Sequence, residues 1–280
     1  MKCKQIPFYR QILVVCAFWL SASNCSTTVA KDEVLPQKNV VRPEQSTQPL
    51  SAEFQKLILA GIKRQDDAPR YIVTEKVGLV DLAHVHEYII LTSLLSSIVP
   101  SKLKQAETQK HTFELRLRSP HTKNFTATTE LLIDLNQRTD DNQINLIRDI
   151  AMTHGYYVEL RQGDMMPPMF LSGSSFSAED LQSNRIGIEI ALHAVTNTTD
   201  LTSAIFDIFA DLKPLITLKE KPKMASKSYT YLPYNRIQNL PKIFEYRPQL
   251  TSNRDSIRGI ETTRSYWQWD VEPNHNAIVE

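Results

Sequence analysis

Gly78-Leu79-Val80-Asp81-Leu82-Ala83-His84-Val85-His86-Glu87-Tyr88 joins a strand-like run, Tyr71 to Val80, to a helical run, Asp81 to Val99. The hydrophobic period changes from two to about 3.6 across this junction, which is the mark of a strand feeding a helix. Asp81 is placed to cap the helix by accepting a backbone N–H from its first turn. Along the helix, His84, Tyr88, Leu91, Leu95 and Ile98 fall on one stripe at steps of four and three. His86 falls on another stripe with Ser93 and Ser97 and is expected to face solvent, and Pro100 is expected to end the element.

Working outward, His111 to Ser119 alternates, with Phe113, Leu115 and Leu117 on one face and Glu114, Arg116 and Arg118 on the other. That predicts a half-buried strand, with Asn124 to Leu135 returning beside it after a Ser119-Pro120-His121-Thr122 turn. Ser51 to Arg64 predicts a short helix on Phe54, Leu57, Ile58 and Ile62. Asp141 to Arg161 predicts another, lined by Ile144, Ile147, Ala151, His154 and Val158. Gly163 to Ser175 reads as a Met- and Pro-rich loop. Ser177 then opens a helix with a capping-box-like Ser-Ala-Glu-Asp, whose inward stripe is Leu181, Asn184, Ile188, Ala191 and Val195. Thr199 to Lys213 is a further amphipathic helix stopped by Pro214. The class expected is α+β, a mostly helical single domain with a small antiparallel sheet.

The 280 residues carry a formal net charge of +1 with no sustained basic face, which argues against a nucleic-acid binder. Lys2, Lys4 and Arg10 form a basic leader before an unbroken apolar run, Ile12 to Leu20, followed by Ser21-Ala22-Ser23. This predicts a secretory signal peptide over 1–24, because the run is shorter than the roughly 20 residues that cross a bilayer; a short uncleaved anchor is the alternative. Residues 25–50 are polar and read as a flexible tether. Residues 51–280 are the globular domain, with an irregular, basic and Tyr-rich part from about residue 216 that Trp267 and Trp269 are expected to pin to the body, a disordered tail being the alternative. Of three cysteines, Cys3 and Cys16 leave with the leader, so a disulfide scaffold is excluded. Cys25 is placed for lipidation; ordinary cleavage after Ser23 or Ala30 is the alternative. Lipidation would tether the protein by its N-terminus. Ser26 after that cysteine points to the outer membrane, facing the periplasm. An envelope ligand or partner is expected.

Two segments resemble a bacterial family. Gly78 to Val85 is similar to its G-F-I-D-x-A-H-V-R motif, with His86 where Arg usually stands. Phe176-Ser177-Ala178-Glu179-Asp180-Leu181-Gln182-Ser183-Asn184-Arg185-Ile186-Gly187 resembles F-S-P-E-D-L-Y-S-N-x-x-G, with Ala178 for Pro and Gln182 for Tyr. Between them the family carries W-H-E, of which Thr153-His154-Gly155 keeps the His. The resemblance covers roughly Tyr71 to Val195. It is to the bacterial envelope proteins catalogued as domain of unknown function 4056, and it implies a secreted or lipid-anchored protein without supplying an activity.

Three helices turn a polar residue toward an apolar stripe: His84, His154 and Asn184. Burying such groups unpaired costs on the order of 1–3 kcal/mol each, so each is expected to find a partner in a neighbour, the backbone or a ligand. The functional reading brings them to one pocket. There His84 or His154 is general acid or base, oriented by Asp81 or Asp180, with Asn184 and Glu179 on the binding side. The structural reading makes Asp81 and Ser177 helix caps, gives Glu179 a favourable place on the helix dipole, and treats the histidines as satisfied core residues. No metal or cofactor is assigned. There is no His-Glu-x-x-His and no Cys cluster, and His84 and His86 point about 200° apart on a helix. A zinc site from His84, His154 and a carboxylate is the metal combination left. The primary expectation is thus a binding or structural protein of the envelope, and the alternative is a hydrolase-like enzyme using His84, His154 and Asp180.

Overall fold

The computed structural model describes residues 49–105, 109–118, 125–138, 142–165, 178–221, 251, 256–269 and 277–279. The leader, Cys25 and most of the tether, the 166–177 loop with Ser177, and residues 222–250 lie outside them.

Tyr71 to Val80 is not one strand. Tyr71–Thr74 (β1) and Gly78–Asp81 (β2) form an antiparallel hairpin, with Tyr71 opposite Asp81 and Thr74 opposite Gly78. Gly78 takes φ +76°, a conformation cheap only for glycine, and the Thr74 hydroxyl accepts from Val77 N–H at 3.2 Å. Pro214–Leu218 (β5) flanks β1, giving a three-stranded sheet ordered β2-β1-β5. The 110–134 hairpin is as expected: Lys110–Arg118 (β3) pairs antiparallel with Phe125–Asp134 (β4). It lies in a second sheet ordered β6-β4-β3-β7, where β6 is Ile260–Trp269 and β7 is Ala277–Val279. The class is the α+β one expected, and among the described residues its antiparallel pairing falls into two small sheets. Part of the C-terminal segment expected to be irregular is regular strand, and Trp267 and Trp269 stand on it opposite Ala127 and Phe125.

Five helices lie among the described residues. Ala52–Ile62 (α1) is capped by Ser51, whose hydroxyl accepts from Phe54 N–H at 3.3 Å. Leu82–Gln105 (α2) follows β2 without a break. It runs through Pro100, contrary to the expected stop. Pro removes one N–H from the ladder, but Val99 remains buried, Leu103 packs on the core, and Lys102 donates to Thr112 O of β3 at 3.2 Å. Gln143–Met165 (α3) extends past the predicted end into the Met-rich segment. Ala178–Asn197 (α4) and Leu201–Leu212 (α5) complete the set. Asp200 caps α5 by accepting from Ser203 N–H at 3.0 Å. Val195, expected inward, is 45% exposed, because α4 is ending there.

Two apolar clusters share α2 and α4. One joins Leu91, Leu95 and Val99 of α2 to Phe113 and Leu115 of β3, Leu131 and Ile133 of β4, Ile147 and Ile150 of α3, and Ile188 and Leu192 of α4. The other joins Val85 and Ile89 of α2 to Ile58, Ile72, Val80, Ile186 and Ile190, and to Ile205, Ile208 and Phe209 of α5. By length and hydropathy α2 could cross a bilayer; in this fold it is the central core helix.

Candidate functional site

The two shared helices meet closely at Gly187. A Cβ there would press into Val85 O and come within 2.9 Å of Tyr88 Cβ. The contact sets the first turn of α4 beside the first turn of α2. Both helix starts carry acids, where the positive ends of the helix dipoles favour negative charge.

Asp81 closes the hairpin and opens α2. Its Oδ1 accepts from Ala83 N–H at 2.9 Å, the expected cap, and its Oδ2 accepts from Arg70 Nη2 at 2.8 Å and Nε at 3.1 Å. The ladder positions that arginine, since Leu82 N–H donates to Arg70 O at 2.8 Å. The Ser183 hydroxyl accepts from Asp81 N–H at 2.8 Å and donates to Glu179 O, tying the two helix starts together. Gln182 donates from its side chain to Val77 O, which fixes α4 to the hairpin turn.

His84 sits among these groups with 2% of its surface exposed. Its Nδ1 pairs with Asn184 Oδ1 at 2.9 Å, so Nδ1 carries the proton and donates. Its Nε2 lies 3.6 Å from Asp180 Oδ1. Burial works against an imidazolium, but Asp180, Asp81, Glu159 and Glu87 together push its pKa up to about 9. Burial also opposes ionisation of Asp81, yet the His84 charge and the Arg70 bonds hold its carboxyl below the usual range. Glu87 is pushed up to about 8, by burial first. One atom each from Asp81, His84 and Asp180 lies within 4.8 Å of the others.

Of the residues singled out from the sequence, Asp81, His84, Asp180 and Asn184 come together, and all are buried. Glu179 is adjacent; its carboxylate pairs with Lys221 and not with the imidazole. His154 packs near Tyr88. Its ring centroid is 6.3 Å from that of Tyr88, neither ring nitrogen has a hydrogen-bond partner among the described residues, and burial pushes its pKa down to about 3. His86 is half-buried, not solvent-facing, and burial with Arg64 nearby pushes it down to about 4. Gly155 borders the centre: a Cβ there would stand 3.1 Å from Tyr88 Oη and 3.2 Å from Asn184 Nδ2. The position where the resembling motif carries Glu therefore opens toward the His84–Asn184 pair.

Arg70, Glu87, Ser183 and Glu159 were not anticipated. Glu87 had a signal, standing three residues after His84 and so on the same helix face. Glu159 stands one turn beyond Gly155. Arg70 becomes visible only once the hairpin register sets it across from Leu82.

No curated protein and no solved structure matches this chain. A family model does, over residues 37–230, a span that holds both helix starts, the hairpin and His154. On that match the chain belongs to the family described as protein of unknown function (DUF4056).

Proposed function

We propose that this is an exported protein of the bacterial envelope, anchored through Cys25 in the outer membrane or soluble in the periplasm, that binds a ligand at the Asp81–His84–Asp180–Asn184 centre. The basic leader, the short apolar run and the placement of Cys25 support the address. The observation that carries the binding reading is His84 itself: a buried imidazole held at Nδ1 by Asn184, with carboxylates on its other side.

Binding is favoured over acid–base catalysis by the tuning of the two histidines. A general base works best with a pKa near the operating pH. His84 is pushed up to about 9 and His154 down to about 3, so neither exchanges a proton readily near neutrality. A hydrolase-like enzyme is the second reading, and the His84–Asp180 pair favours it, with the acid orienting the ring.

Native mass spectrometry of the mature protein purified from the envelope tests the site. The expected result is a bound mass on the wild type that is absent from Asp180→Asn at unchanged circular dichroism. A wild type at the bare chain mass overturns the binding reading. Metabolic labelling with a palmitate analogue tests the anchor: label is expected on the wild type and lost in Cys25→Ser, and an unlabelled mature wild type removes the lipid anchor.

A further inference from the structure

The centre combines donors of the kind that hold a first-row divalent cation. Two carboxylates and one imidazole present one atom each within 4.8 Å of one another, and all three residues are buried. Asn184 Oδ1 accepts a hydrogen bond from His84 Nδ1–H, which turns Nε2 toward Asp180; metal-binding histidines are oriented by such an outer hydrogen bond. The 3.6 Å between Nε2 and Asp180 Oδ1 is longer than a hydrogen bond. Asn184 is itself 3% exposed, and its amide nitrogen, bordering Gly155 and Tyr88, has no acceptor among the described residues. A cation between His84 Nε2 and the nearby oxygens would face both the Asp81 and the Asp180 carboxylates in a region of low dielectric.

We propose that Asp81, His84 Nε2 and Asp180 bind one divalent transition-metal ion. Mixed imidazole and carboxylate donors suit zinc or manganese better than magnesium. Arg70 holds Asp81 in place and Asn184 holds the ring. This rests on the binding reading above and names its ligand class. No compact metal-binding motif marks these ligands in the sequence, because they come from the starts of two helices about a hundred residues apart.

The test uses the mature chain, stripped with chelator and titrated calorimetrically with zinc chloride, manganese chloride and magnesium chloride, alongside elemental analysis of the protein as purified. One equivalent of zinc or manganese is expected to bind, with magnesium far weaker. Asp180→Asn is expected to weaken binding at least tenfold, and Asn184→Leu by 10- to 100-fold through loss of ring orientation, each at unchanged circular dichroism. Should Asp180→Asn fold poorly, His84→Gln replaces it as the ligand variant. Failure of the stripped wild type to take up zinc or manganese near one equivalent overturns the proposal, as does equal uptake by Asp180→Asn and the wild type. If elemental analysis finds no metal but an organic mass depends on Asp180, the binding reading stands and the metal falls. If neither is found, both fall.

Discussion

His84 and His154 show how neighbours divide two buried imidazoles. Four carboxylates near His84 outweigh its desolvation, whereas burial alone acts on His154. The second case makes a prediction about pH. The unfolded ring takes up a proton below about 6.5, and the native ring stays neutral down to about 3. Between those values the unfolded state holds one extra proton, so stability falls toward acid by about 1.4 kcal/mol per pH unit. His154→Gln removes that contribution. Urea unfolding between pH 4 and 6 is expected to give a flatter profile for the variant, by about that slope; parallel profiles would mean that the native ring titrates normally. The residue most open to direct reading was Asp81, because a cap is a local matter of one side chain and the next turn. Ser183 was less legible: its hydroxyl bridges Asp81 N–H and Glu179 O, and the first of these bonds crosses the fold.

At the scale of elements, the approach of α2 and α4 at Gly187 decides where the site forms. Adding a methyl group gains up to about 1 kcal/mol of helix propensity. Here it meets backbone, Val85 O and Ile89 N, which cannot swing aside. Gly187→Ala is therefore expected to be destabilising by about 1–3 kcal/mol, read by chemical denaturation. It is also expected to weaken the His84–Asn184 contact, read as a shift of the His84 ring resonances. A variant as stable as the wild type would show that the helices can separate without cost. Helix existence, the 110–134 hairpin and the buried stripe through His84, Tyr88, Leu91 and Leu95 were all legible, because period and alternation are local signals. The β1–β2 turn was missed because it lacks an Asn-Gly and its marker is Gly78 alone. The passage of α2 through Pro100 was missed because the last turn is held by tertiary contacts, Lys102 to Thr112 and Leu103 to the core, that no local pattern encodes.

Across the whole molecule, α2 and α4 belong to both apolar clusters, so neither cluster can melt while the other keeps its walls. Ile72→Ala in one and Leu131→Ala in the other are each expected to lower stability by about 2–5 kcal/mol. Fluorescence and far-ultraviolet circular dichroism are expected to report one coincident transition in both variants. Separate transitions would mean that the clusters fold as independent units. The pairing of β6 and β7 was beyond sequence reading, since each returns from the chain's last stretch to a hairpin more than a hundred residues earlier. Those late strands cover both flanks of that hairpin: β6 lies along β4, and β7 along β3. A chain cut at Thr251 would uncover two rows of backbone donors and acceptors at once, and open edges of that kind recruit strands from other molecules. Proteolytic trimming of the carboxyl end is therefore expected to make this protein prone to pairing strands with other copies of itself.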